Sequence, residues 1–263
     1  MPRRAHRPVR GAQWLAYVLV LPFLLVIGAP FIYMVVTALT AGRDVLTALP
    51  LGRFVLTSAI FSLTVMTGQV VTSAAAAYAF ARLRFAGRDR LFLAYLATLT
   101  APAILLALPR FLLIEALGWV ESYRGLITTE LVSVTGIFLL RQFFLALPRE
   151  VEDAARLEGA GEWAIFRRVV LPQSGTALAT LGVLALAEQW RSFLWPLVAS
   201  QASTVQVVEV GIANLRGLYQ VSWSGQMALA AVGVGPVLLL YLVARKQFIR
   251  AIEMFATGRS APT

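Results

Sequence analysis

Few residues of this chain are equipped for covalent, metal or phosphate chemistry. Cysteine is absent, and His6, in a basic N-terminal stretch, is the sole histidine. Thiolate nucleophiles, thiolate metal sites and disulfides are thereby excluded, and a histidine-based site lacks a second member. The sole lysine, Lys246, follows Arg245 rather than a glycine, so the chain has no GxxxxGK phosphate loop. Two polar patterns remain. Glu188, Trp190, Arg191 and Trp195 interrupt an otherwise apolar stretch. A carboxylate and a guanidinium three residues apart share a helix face, and aromatic faces beside hydrogen-bonding groups suit a sugar. These four are the candidate residues for contacting a polar ligand. The alternative is a self-neutralised Glu188–Arg191 pair near the outer interface that only stabilises its helix. The second pattern, Leu147 to Pro172, is the longest charged segment in the chain.

The elements that must position these groups are set by composition. Of 263 residues, 59% are hydrophobic and 14% charged. Soluble domains sit near 45–50% apolar and about 25% charged, so the chain is predicted to be an all-α integral membrane protein. Six stretches approach the roughly 20 apolar residues a spanning helix needs: Gly11 to Gly42, Phe54 to Ala81, Leu91 to Pro109, Gly125 to Leu147, Val169 to about Ser200, and Gly217 to Ala244. Six spans place both termini on one side, with the second–third and fourth–fifth connections. That side collects seventeen of the 23 basic residues, and basic excess marks the cytoplasm. Net charge +10 therefore reflects orientation, with no nucleic-acid partner implied. Residues 1–13 are expected to form a basic cytoplasmic tail, the first span an uncleaved anchor, and 1–263 one membrane domain. Glu130, near the start of the fourth span, is expected to be an interfacial anchor. Ser73 to Ala77 are expected to pack helices closely.

The segment 148–168 has its own local logic. Pro148 suits a first helical turn, and Glu150, Glu152 and Asp153 complement the positive end of the helix dipole. Gly159 and Gly161 stop the helix, giving a short element from Arg149 to Glu158. Ala154 and Ala155 keep one surface shallow enough for another protein to approach. A second helical stretch, Glu162 to Val170, leads into the fifth span. A solvated connector on the membrane surface is the alternative reading of these residues.

Asp153-Ala154-Ala155, three residues, Gly159, nine residues, then Val169-Val170-Leu171-Pro172 resembles the EAA motif of permeases of binding-protein-dependent ABC importers. Asp153 stands where the motif has glutamate and Val169 where it has isoleucine. AYAFARLRFAGR (Ala77 to Arg88), LGWVESYRGLI (Leu117 to Ile127), FLLRQFFLALPREVEDAARLEGA (Phe138 to Ala160) and QWRSFLWPLV (Gln189 to Val198) are similar to stretches of the carbohydrate-type members, in the same order. Trp190-Arg191-Ser192-Phe193 departs from their WNDF at both polar positions.

The resemblance implies a transport subunit rather than an enzyme, in a prokaryotic inner membrane. Glu152, Asp153, Ala154, Ala155, Glu158 and Gly159 would couple it to a cytoplasmic ATPase dimer. That dimer would hold ATP and Mg, this chain carrying no cofactor and no metal. A second permease subunit would complete the path, and an extracytoplasmic solute-binding protein would deliver a sugar or oligosaccharide. Glycerol phosphate, a polyamine or another polar solute is the alternative cargo. A stand-alone secondary carrier is the alternative class; it calls for more intramembrane carboxylates and has no use for the charged segment.

Overall fold

A computed structural model describes residues 10–41, 50–200, 205–218 and 223–257. The regular structure of these residues is all helical, with no strand among them. In chain order the helices are α1 (Arg10–Ala41), α2 (Leu51–Arg82), α3 (Arg88–Ala97), α4 (Ala103–Ala116), α5 (Tyr123–Thr128), α6 (Val134–Ala146), α7 (Glu150–Leu157), α8 (Glu162–Ile165), α9 (Leu171–Gln173), α10 (Gly175–Trp190), α11 (Leu194–Ala199), α12 (Val208–Leu218) and α13 (Trp223–Thr257). A 3-10 turn, Thr98–Thr100, follows α3, and a π-helical turn, Phe166–Val170, joins α8 to α9.

Two compact units are distinguished. The smaller comprises Met1–Leu49 and Leu215–Val232. Within it the Trp223 indole N–H donates to the Tyr33 hydroxyl at 3.3 Å, and Met34, Ala38, Ala228 and Leu229 are buried. The larger comprises Pro50–Asn214 and Gly233–Thr263 and holds both polar patterns.

The larger unit is organised around α2. Its buried stripe recurs at helical spacing through Phe54, Phe61, Val65, Gln69, Ser73, Ala77 and Ala81. The opposite face shows Leu56, Ile60, Leu63 and Val71 to the surroundings. Serines and a glutamine inside with leucines outside reverse the soluble pattern, as hydrocarbon surroundings require. Both α6 and α10 pack on α2. The approach is close because Gly136 of α6 has no side chain: a Cβ there would sit 2.6 Å from Ser73 Oγ and 3.1 Å from the Leu181 side chain. One core cluster gathers Ala74, Ala77, Leu140, Phe144, Ile165 and Leu181; a second gathers Phe61, Val65, Ile114, Leu126 and Trp195.

Among the described residues, three helices are individually long and apolar enough to cross a membrane, Val20–Thr40 of α1, α2, and Trp223–Arg245 of α13. Two bent pairs raise the number to five: α3 and its 3-10 turn with α4, bent 103°, and Glu162–Gln173 with α10, bent 77°. The sixth apolar element, α6, has 13 residues, about 20 Å of helix against a hydrocarbon core near 30 Å.

Runs that look continuous in sequence are thus broken in space, for local reasons. Pro102 forces Ala101 into an extended conformation (φ −75°, ψ 122°) and ends the 3-10 turn. Ser174 Oγ donates back to the Val170 carbonyl at 2.7 Å, a bond that bends helices, at the 77° break. The predicted fourth span divides into α5 and α6, capped by Ser122 and Ser133, whose side chains accept from Gly125 N and Gly136 N. In α13 the backbone leaves helical geometry at Ala244 rather than at Pro236. Residues 1–9 of the basic tail and 258–263 of the C-terminus lie outside the described residues.

Candidate functional site

The charged segment folds as two short helices at the C-terminal end of α2. Glu150, Glu152 and Asp153 occupy the first turn of α7, where they oppose the positive end of its dipole. The helix stops at Gly159, whose φ of +86° suits glycine. Gly159 N donates to Arg156 O at 3.0 Å and Ala160 N to Ala155 O at 3.0 Å, the paired bonds of a Schellman cap. A rigid, terminated helix results.

Glu152 turns inward and is 2% exposed. Arg82, the last residue of α2, donates from Nε to Glu152 Oε1 at 2.8 Å and from Nη2 to the Leu147 carbonyl at 3.0 Å. Arg156 extends the cluster, 3.5 Å from Glu152 Oε2, 2.9 Å from Asp153 Oδ1 and 3.0 Å from Glu162 Oε1. The Tyr78 hydroxyl, one turn before Arg82, donates to Glu162 Oε2 at 2.6 Å. Within this segment, outside the spans, hydrogen bonds from Arg156 and then Tyr78 hold the Glu162 carboxyl below its ordinary range, while the Glu162 bond raises the Arg156 guanidinium. Arg82, Arg84, Arg149, Asp153 and Arg156 line a cleft of about 630 Å³ beside it.

Of the six predicted coupling residues, Asp153, Ala154, Glu158 and Gly159 are exposed and Ala155 is half-buried; Glu152 alone is buried. The outer face adds apolar groups: Val151 is 52% exposed, Leu157 91% and Trp163 69%. Arg82 escaped sequence reasoning, which took the arginines after the second span as an orientation signal. The available clue was Glu152, an acid on the inward face of an amphipathic helix.

The second pattern is dispersed. Glu188 and Arg191 are exposed and form no pair with each other; Arg191 Nε instead donates to the Ala187 carbonyl at 3.2 Å. Both tryptophans are buried with their N–H groups satisfied by backbone, Trp190 on Gly233 O and Trp195 on Leu126 O, each at 3.0 Å. The structure joins two other charges. Arg110 of α4 and Glu130, between α5 and α6, form an ion pair at 2.5 Å. Gln69 Nε2 of α2 donates to the Glu130 carbonyl at 2.8 Å, and Arg110 Cζ stands 5.9 Å from the Trp195 ring centre. Glu130 is thus tied both to Arg110 of α4 and, through its carbonyl, to Gln69 of α2.

Residues 69–253, from mid-α2 to α13 and including every group of the coupling cluster, match the family described as "Binding-protein-dependent transport system inner membrane component". The chain belongs to this family. It is the permease subunit of a binding-protein-dependent ABC importer, an inner-membrane component. It is 31% identical over 193 residues to the arabinooligosaccharides transport system permease protein AraQ of Halalkalibacterium halodurans, covering 73% of this chain and 69% of that one. It is 33% identical over 195 residues to the sn-glycerol-3-phosphate transport system permease protein UgpE of Pectobacterium atrosepticum, with the same coverage. The fold of the permease is similar to a chain in the crystal structure of a bacterial ABC transporter involved in import of the acidic polysaccharide alginate. That likeness has a TM-score of 0.77 at 20% identity and covers 94% of this chain and 99% of that one.

Proposed function

We propose that the permease takes up a sugar or oligosaccharide, pairing with a second permease subunit and driven through α7 by a cytoplasmic ATPase dimer. The ATPases hold ATP and Mg, and an extracytoplasmic solute-binding protein presents the solute. Both termini are cytoplasmic, and six spans result when the two bent pairs and α6, completed by its flanking residues, each count once. The observation that carries coupling is the capped α7, whose inner face is fixed to α2 by Arg82–Glu152 and whose outer face offers Asp153, Ala154, Leu157 and Glu158. The outer face suits the cleft of another protein; the inner fixation passes its displacement to a span. Rigid-body alternation of access follows from such a linkage.

Affinity purification of the tagged permease from its native membrane in mild detergent tests the assembly. A P-loop ATPase and a second polytopic protein are expected to co-purify; the chain alone, transporting after reconstitution without ATP, would refute the proposal. Gly159→Pro and Ala155→Trp are expected to abolish solute-stimulated ATPase activity while leaving membrane insertion intact. Full stimulation in either variant would remove α7 as the coupling element. Glycerol phosphate is the second reading of the cargo, supported by the UgpE relatives.

A further inference from the structure

The Arg110–Glu130 pair lies at a depth where charge needs a reason. Gln69, which holds Glu130 by its carbonyl, stands thirteen residues before Arg82 and eighteen after Leu51. These separations are about 20 Å and 27 Å along the axis. Arg82 ends α2 at the coupling segment, and α2 is long enough to cross a hydrocarbon core about 30 Å thick, so we assign the level of Gln69 and Glu130, away from both helix ends, to its interior. Ionised groups there face a cavity or a partner protein rather than lipid. The neighbourhood agrees. Pro109, immediately before Arg110, withholds a backbone donor within α4, and the bent pair α3–α4 is a broken helix of the kind that surrounds solute sites in transporters.

The guanidinium is also presented outward. The Arg110 side chain is 36% exposed while its counter-ion Glu130 is 17% exposed. Trp195 backs the guanidinium. Glu188 of α10, seven residues before the Trp195 that backs the guanidinium, is exposed and has no ion-pair partner among the described residues. Arg191 follows one turn on.

We propose that Arg110, Glu130, Glu188 and Arg191 form a polar wall of the solute path within the membrane. There Arg110 donates to, and Glu188 accepts from, the hydroxyls of a neutral polyhydroxylated solute. Two guanidinium and two carboxylate groups balance, so the wall supplies donors and acceptors with no surplus charge for an anion. The proposal deepens the importer assignment and rests on it for orientation.

The absence of native cysteine in this chain makes the test direct. Arg110→Cys is made together with Glu130→Gln, because an unpaired buried carboxylate destabilises; Glu188→Cys breaks no pair. Leu112→Cys is the reference, two residues from Arg110, about 200° around the same helix, and exposed. Each variant, in the full importer in native membranes, is treated with a cationic water-soluble methanethiosulfonate. A thiol reacts as the thiolate, which needs water, so the two wall positions are expected to label at least about tenfold faster than Leu112→Cys. Equal rates would overturn the proposal. Labelling of the wall positions that ignores ATP with vanadate would keep the wall and remove the ATP-driven importer. Neutral oligosaccharides presented with the solute-binding protein are expected to slow labelling. Protection by glycerol 3-phosphate alone would overturn the neutral-solute assignment.

Discussion

Arg82 and Glu152 are the most consequential pair of side chains in the permease, at 2% and 3% side-chain exposure. Removing one partner of a buried ion pair leaves a stranded charge, whereas an apolar replacement of both is often tolerated. Arg82→Ala is therefore expected to lower stability by about 3–5 kcal/mol. The double variant Arg82→Met, Glu152→Leu should recover most of that loss in thermal denaturation followed by tryptophan fluorescence. Equal loss in both would deny the pairing. Glu162 behaves differently with pH. Its carboxyl is held below the ordinary range by Arg156 and then Tyr78, so its contribution is present above the unfolded-state pKa and is lost as pH falls through the lower folded value. Fluorescence of Trp163, which neighbours it, should stay constant at pH 6 and change only below the ordinary carboxylate range near 4. A change centred at or above that range would contradict the bonding.

At the scale of elements, α7 was legible because each of its signals is local: acids in the first turn, Gly159 at the end, and a spacing matched by the EAA motif. Expected from Arg149 to Glu158, it runs Glu150–Leu157. The spans were legible as apolar runs but their breaks were not. Hydropathy counts residues without regard to direction, so the turns at Pro102 and Ser174 and the division around Glu130 left the apolar sums unchanged. Pairings across elements, Arg82 with Glu152 and Arg110 with Glu130, are separated by 70 and 20 residues and follow from how helices pack. Close packing on α2 gives its own expectation. Gly136→Ala puts a methyl against Ser73 and Leu181 and should destabilise by roughly 1–3 kcal/mol. Gly235→Ala, which meets nothing within 4 Å, should be neutral or slightly stabilising. Parallel melts of the two variants separate packing from helix propensity.

At the scale of the whole molecule, orientation ties the parts together. Single cysteines at Glu158 and Glu121 are expected to react with an impermeant thiol reagent from opposite sides of the membrane, Glu158 from the cytoplasm. Reaction of both from one side would refute the six-span path. In that orientation the 32 residues of α2 acquire a mechanical meaning. The helix is held at one end by Arg82 and, at its level of Gln69, by the carbonyl of Glu130. Toward its other end, Ser58 Oγ accepts from Val208 N of α12 at 2.8 Å. Ser58 stands twenty-four residues before Arg82, about 36 Å along the axis. Tied at three levels, α2 would serve as a connecting rod: travel imposed at Arg82 reaches α12 through one stiff member.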